Sequence, residues 1–363
     1  MDDFSFLSFR SPGEAPSKKE RTPMTPTVQI YDRHAFEEAL GEDDGFRGPL
    51  DEYPPPVNIE RTTEGEIWAR TMRKILASPY GNTRPVLVGT PEMAAQLLAE
   101  TAVMPHFGVI TGILERAIRL SATTGRPLHI PKILALGPPG VGKTFYTKTV
   151  ARVLDTACVP IAMNGTSDRG QLGGLSTAWR GAKIGKLAKG LLLGCPTASP
   201  LYLLDELDKA TSLAGENVID VLLSVLEPEN ARAFVDEYID LPIDLSHAIF
   251  LATANGTDTI PGPVLSRVMV VEIPELTAAQ SRGITRAIAG TVIEAIAGTA
   301  LAGISDRAVE DLIGMNAREL RKIFELAIPF AVVARRPEIG AADVAKALVL
   351  LESGKKTPMG FVA

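Results

Sequence analysis

The run Gly137-Pro138-Pro139-Gly140-Val141-Gly142-Lys143-Thr144 constrains this chain more than any other part of it. It matches the pattern G-x-x-x-x-G-K-[S/T], follows the apolar run at 133–136 and precedes a helical stretch. Glycine tolerates backbone angles that other residues avoid, so such a loop can curl and turn successive N–H groups toward phosphate oxygens. Lys143 is then placed to reach between β- and γ-phosphates, and Thr144 to offer its hydroxyl to Mg2+. The helix that starts there adds the positive end of its dipole. A strand–loop–helix unit of this kind belongs in a parallel sheet covered by helices.

The surrounding pattern agrees with an α/β fold. Near-continuous apolar runs at 133–136, 159–163, 201–204, 249–253 and 269–273 predict a parallel five-stranded sheet within residues 104–274. Strands covered on both faces read this way. Beyond Pro274 the pattern turns helical, with helices expected at 278–297, 305–313, 317–334 and 341–352. They would form a small C-terminal lid over 275–352, followed by a tail at 353–363. Upstream, residues 61–103 read as a helical extension. A helix is expected at 62–76, and Thr90-Pro91 is a start signal: a hydroxyl cap, then a proline whose missing N–H does no harm. Another helix is expected at 109–121. Residues 1–60 are rich in Pro, Gly and mixed charge and predict a flexible or partner-dependent arm. Its scattered apolar anchors Phe4, Phe6, Leu7, Tyr31 and Phe36 are candidates to dock on a neighbouring subunit, the alternative being a plain tail.

Leu201-Tyr202-Leu203-Leu204-Asp205-Glu206 is an apolar strand ending in two carboxylates. Both project at the sheet edge that carries the phosphate loop. Asp205 reads as the metal-side carboxylate and Glu206 as the group that polarises an attacking water. Strand-end carboxylates facing solvent are the plainer alternative. Thr253-Ala254-Asn255 ends another apolar run, and Asn255 reads as a γ-phosphate or water ligand, or as a simple turn residue.

Composition narrows the rest. The chain has 363 residues, 45% of them hydrophobic and 22% charged, with a formal net charge of -6. No basic excess advertises a nucleic-acid surface. The four histidines, His34, His106, His129 and His247, match no zinc spacing. Cys158 and Cys195 read as reduced thiols near the core. The first residues do not resemble a secretory signal, and the apolar window at 292–304 is broken by Glu294 and glycine. The expectation is a cytoplasmic protein with no membrane partner.

Over roughly residues 104–352 these motifs resemble, in order, the AAA+ module of Lon-type proteases. Leu204-Asp205-Glu206-Leu207-Asp208-Lys209 is similar to the family's LDEIDK, and Leu222 to Asn230 to its LLEVLDPEQN. Phe234, Asp236, Tyr238, Asp244-Leu245-Ser246 and Pro263-Val264-Leu265-Ser266-Arg267 continue the likeness. The resemblance implies a P-loop NTPase (AAA+) that binds ATP and Mg2+. Gly137, Pro138, Pro139, Gly140, Val141, Gly142, Lys143 and Thr144 would hold the phosphates, and Thr144 and Asp205 the metal. Asn255 would be the first sensor, Arg267 the arginine finger that reaches a neighbour's nucleotide, and Arg318 the second sensor on the lid. His106-Phe107-Gly108-Val109 resembles the HYGL segment around the adenine, which points to Phe107, Gly108 and Val109. Trp179 and Arg180 stand where the family places its pore-lining pair. Arg180 replaces the usual aliphatic residue, and Ala214 to Asn217 replaces the family's RGDP.

A finger that needs a neighbour implies a closed ring, most simply a homo-hexamer. The expected activity is ATP hydrolysis by a motor that remodels, unfolds or translocates a protein client, with a separate adaptor or protease as a further partner. No protease domain with a serine–lysine dyad follows the motor in this sequence, so the chain is not expected to be a protease itself. Two alternatives stand beside this reading. One is a nucleic-acid-linked motor using Arg180, Lys183, Lys186 and Lys189. The other is an ATP-dependent assembly switch, for which Trp179 would be buried.

Overall fold

The computed structural model describes residues 25–42, 64–165, 169–210 and 218–355. Phe4, Phe6, Leu7 and the 214–217 segment lie outside them. Strand β1 (Thr27–Gln29) is followed by helix α1 (Arg33–Glu42), then by α2 (Glu64–Leu76), β2 (Thr83–Pro85), α3 (Pro91–Thr101) and α4 (Gly108–Thr124). Thr90 caps α3 as its chemistry predicts, accepting from the Met93 N–H with Pro91 in the first turn.

The sheet domain follows. It runs β3 (Ile133–Leu136), α5 (Lys143–Val153), β4 (Cys158–Ala162), α6 (Arg169–Gly173), α7 (Lys186–Gly194) and β5 (Leu201–Asp205). Then come α8 (Val218–Leu226), α9 (Pro228–Ala231), β6 (Phe234–Val235), β7 (Pro242–Ile243), β8 (Ile249–Ala254), α10 (Gly262–Leu265) and β9 (Met269–Glu272). Five strands form one sheet in the order β4-β5-β8-β3-β9, every pair parallel. All six residues of β8 are buried, because strands flank it and both faces are covered. The period of two sorts the side chains. Leu134, Tyr202, Leu204, Phe250 and Ala252 join one core, and Ile133, Ala135, Leu201, Leu203 and Leu251 join the other.

The lid contains α11 (Ala278–Ala297), α12 (Asp306–Glu310), α13 (Ala317–Val333) and α14 (Ala341–Lys355) around a third core. Thr277 and Gln280 build a reciprocal capping box at the start of α11, and Ser305 caps α12. The lid is not purely helical: β10 (Gly303–Ile304) pairs in parallel with β11 (Glu338–Ile339). The helix expected at 305–313 is only α12, since the chain leaves the helical path after Glu310. Among the described residues no helix is long and apolar enough to cross a membrane. Both cysteines are free.

One expectation is overturned. Tyr31 and Phe36 do not wait for a neighbouring subunit; they are buried in this chain's own core, with ring centroids 4.4 Å apart. β1 pairs antiparallel with β2, and Tyr31 bridges to Ile243. Residues 25–42 are therefore part of the sheet domain. The N-terminal segment is fastened by Arg84 on β2, whose guanidinium is fully buried. It donates to the carbonyls of Leu191, Leu192 (2.8 Å) and Cys195 (2.6 Å), at the end of α7. A cation there meets the negative end of the helix dipole and satisfies carbonyls that the helix leaves open.

Candidate nucleotide site

The register places the site. Leu136 of β3 lies beside Ala254 of β8, and Leu204 of β5 beside Ala252. The residues that follow these three strands therefore emerge together at the carboxyl edge of the sheet, where α/β folds bind ligands. Gly137 must be glycine, since a β-carbon there would lie 2.5 Å from the Ile273 carbonyl oxygen. Gly142, at φ 95°, turns the loop into α5.

The side chains converge as the motifs predict. The Lys143 ammonium donates to the Gly137 carbonyl at 2.6 Å, the Pro138 carbonyl at 2.9 Å and Asn255 Oδ1 at 3.0 Å. Burial pulls its pKa below the ordinary lysine value, and the carboxylates of Asp208, Asp205 and Glu206 pull it back up. The Thr144 hydroxyl donates to Asp205 Oδ1 at 2.9 Å and Oδ2 at 3.1 Å. A hydroxyl and a carboxylate side by side are hard oxygen donors of the kind Mg2+ takes, so this pair fits the metal that accompanies a nucleotide.

Two residues here carried no assigned role in the sequence reading. Thr253 donates to Asp205 Oδ1 at 2.6 Å and accepts from the Glu206 N–H at 2.9 Å, so one hydroxyl orients both acids. Asn164, just beyond β4, donates to Glu206 Oε2 at 2.8 Å. Thr253 lay within a quoted motif, but Asn164 had no local signal; only the pairing of β4 with β5 brings it here. Glu206 itself sits in the left-handed region at φ 58°. That costs a non-glycine residue roughly 1–2 kcal/mol, and it aims the carboxylate off the strand end.

The lid touches the loop. A β-carbon on Gly140, whose φ is 85°, would lie 2.6 Å from the Asn316 β-carbon. Asn316 caps α13 by accepting from the Arg318 and Glu319 N–H groups at 3.1 and 3.0 Å. The start of α13, with Arg318 exposed, therefore abuts the phosphate loop. Gly140→Ala is expected to weaken ADP binding about tenfold in calorimetry, because the added methyl strains the backbone and strikes the lid by an amount on the order of 1.4 kcal/mol. Unchanged affinity would show that this approach does not matter to binding.

The remaining expected residues lie in different settings. Phe107 is 0% exposed and stacks on Tyr146 with centroids 4.3 Å apart. With no surface exposed, the ring is part of the core that includes Leu114 and Val150. His106 donates through Nε2 to the Val141 carbonyl at 2.9 Å, which ties this segment to the loop; burial lowers its pKa, against the bond to Val141 that raises it. Gly108 and the exposed Val109 begin α4. Arg267 pairs with Glu227 at 2.9 Å and donates to the Pro263 carbonyl at 2.9 Å. Trp179 is 66% exposed at the tip of the loop between α6 and α7, with Arg180 exposed beside it.

Comparison with known proteins agrees with the fold. Residues 133–275 match the model of the AAA family, described as ATPases associated with various cellular activities. Lon protease 1 of Thermus thermophilus is 36% identical over 220 residues, covering 59% of this chain and 28% of that protein. The peroxisomal Lon protease homolog 2 of Zea mays is 31% identical over 265 residues, covering 67% of this chain and 30% of its own length. The matched part thus spans less than a third of these relatives. A solved structure of RuvB from Thermotoga maritima, titled a Holliday junction branch migration motor, is 18% identical, covering 66% of this chain and 67% of its own, with a TM-score of 0.45. Residues 133–275 carry the AAA fold, and this stretch resembles the corresponding part of Lon proteases.

Proposed function

We propose that this chain hydrolyses ATP with Mg2+ as one subunit of a ring, most simply a hexamer, and uses the turnover to move a protein client. The observation that carries the reading is the convergence of these side chains at one sheet edge, where Lys143 bonds Asn255 at 3.0 Å, Thr144 bonds Asp205 at 2.9 and 3.1 Å, and Thr253 bonds both Asp205 and the Glu206 N–H. In this arrangement the loop amides and Lys143 hold the phosphates, and Thr144 and Asp205 hold Mg2+. The metal, when bound, neutralises charge that develops on the phosphoryl group. Glu206 accepts a proton from the attacking water, and Thr253 and Asn164 fix where its carboxylate stands. Asn255 reports on the terminal phosphate.

Arg267 serves a neighbour's site. Its guanidinium forms an ion pair with Glu227, and Arg318 at the start of α13 serves the site from the lid. The exposure of Trp179 favours a gripping loop over an assembly switch, for which the ring would be buried. A broad apolar face suits contact with many side chains.

Mixing tests the shared site. Arg267→Ala and Glu206→Gln are each expected to lose at least tenfold in steady-state phosphate release at normal ATP affinity. Mixed rings should regain activity at interfaces where an intact finger faces an intact glutamate. No recovery at any ratio, or full turnover by a monomer, would remove the ring from the proposal. Trp179→Ala should keep basal turnover and lose the increase caused by an unfolded polypeptide.

A further inference from the structure

The loop that carries Trp179 begins and ends on glycine, and both glycines rest on the same buried carboxylate. Asp236 is 0% exposed, just past β6. Its Oδ2 accepts from the Gly185 N–H at 2.9 Å, and its Oδ1 accepts from the N–H groups of Tyr238 (3.0 Å) and Ile239 (3.2 Å). A β-carbon on Gly174 would overlap the Asp236 carboxylate, and one on Gly185 would lie 2.6 Å from Oδ2. No other residue type permits this approach at either end. The Glu237 N–H donates to the Gly173 carbonyl at 2.8 Å, so the segment after β6 grips the loop's entry through backbone as well.

Within the loop, Leu175 donates to the Lys183 carbonyl at 2.9 Å and Trp179 to the Ser176 carbonyl at 3.0 Å, which folds it into a narrow hairpin. Glu64, the first residue of α2, accepts from the Gly181 N–H at 2.8 Å near the tip. Farther along α2, the Thr71 hydroxyl meets the Tyr238 hydroxyl at 3.3 Å. One helix therefore touches both the tip of the hairpin and the segment that holds its base.

We propose that Asp236 is the positioning residue of the Trp179 loop, clasping both of its ends through Gly174 and Gly185 while Glu64 steadies its tip. The proposal rests on the reading of Trp179 as the client-gripping residue. A loop that bears load needs fixed ends, because a hinge at the base would turn a pull on the client into slack. Backbone-bound carboxylates suit the task, since hydrogen bonds to a charged acceptor are about twice as strong as neutral ones. Burial pushes the Asp236 pKa up to about 7, against the three backbone donors that pull it down. Burying a carboxylate is costly unless it is hydrogen-bonded, and here three backbone N–H groups bond it.

The test uses the full chain, with fluorescein-labelled casein as the unfolded polypeptide. Asp236→Asn replaces one accepting oxygen by an amide that cannot accept the Gly185 N–H. Glu64→Ala, at the half-buried first residue of α2, is expected to release only the tip and to keep the parent's circular dichroism spectrum. Amide hydrogen exchange is expected to rise at least tenfold within 174–185 for Asp236→Asn and near 181 for Glu64→Ala, while α5 stays protected. Basal kcat and KM for ATP should stay within twofold of the parent, and the casein concentration for half-maximal stimulation should rise at least fivefold in Asp236→Asn. Unchanged exchange over 174–185 overturns the clasp. Faster exchange with unaltered casein response overturns the positioning role, and so does a loss of basal turnover in Asp236→Asn. Trp179→Ala separates the two ideas. It should abolish the casein response without changing exchange at Gly185, and if it leaves that response intact, the gripping reading fails whatever Asp236 does.

Discussion

Glu206→Gln is expected to bind ATP as tightly as the parent and to turn it over at least tenfold more slowly. Glutamine has the shape of glutamate, so it can keep the left-handed backbone at φ 58° and the amide bond to the Thr253 hydroxyl. Its side-chain oxygen can still accept from Asn164. The substitution removes the negative charge and the basic oxygen that takes a proton from water. Each decade of rate is about 1.4 kcal/mol of barrier, well within what one general base contributes. The measurement is phosphate release set against binding of a fluorescent ATP analogue. Asp205→Asn should behave differently, because Asp205 is bonded to Thr144 and Thr253 and its loss disturbs the metal side as well. Undiminished hydrolysis in Glu206→Gln would take this carboxylate out of the mechanism.

The second large effect is one of stability. Arg84→Met should lower the urea midpoint by more than 1 M. The guanidinium is fully buried and serves the carbonyls of Leu191, Leu192 and Cys195, and its Nε donates to the Gly81 carbonyl at 3.1 Å. Methionine fills the volume and leaves those acceptors without donors. Each buried acceptor left without its donor costs about 1–3 kcal/mol, so these carbonyls together cost at least about 3 kcal/mol. With a urea slope of roughly 1–3 kcal/mol/M, that is a shift of at least about 1 M. Arg84→Lys should recover only a minor part, because one ammonium cannot span carbonyls that a planar fork reaches together. A midpoint within 0.3 M of the parent, an interval of roughly 0.3–0.9 kcal/mol on that slope, would mean that the fastening is structurally idle.

The parts of the fold that were legible are those in which local chemistry dictates residue type. The phosphate loop needs glycines and a lysine at set spacing. The sheet strands needed to be apolar on both faces, and the five runs read from the sequence are the five strands, with ends displaced by no more than a residue. Thr90-Pro91 was readable because helix starts have their own chemistry, and the span Ala278–Ala297 because its pattern turns helical after Pro274. What stayed hidden depends on partners far along the chain. β1 is three residues long and exists because β2 pairs with it, so nothing near Thr27 announces it. Tyr31 and Phe36 looked like anchors for another subunit because they sit among prolines and charges, yet Ile243 and α2 complete their core. Asn164 and Asp236 are single polar residues whose partners, Glu206 and Gly185, lie 42 and 51 positions away. Phe107 failed in the other direction. Its motif pointed to a base, and the ring lies beneath the surface against Tyr146.

The hydrogen bonds of Lys143 have a consequence for the order of events at the loop. Its ammonium is already satisfied by two carbonyls and the Asn255 amide oxygen. On the proposed function, an incoming triphosphate has to win this cation from the protein, and a departing diphosphate hands it back to the same cradle. On that reading release strands no charge, and the lysine moves between two sets of oxygens as a latch moves between two keepers. Asn255 belongs to one of those sets, which ties the position of the latch to the end of the central strand.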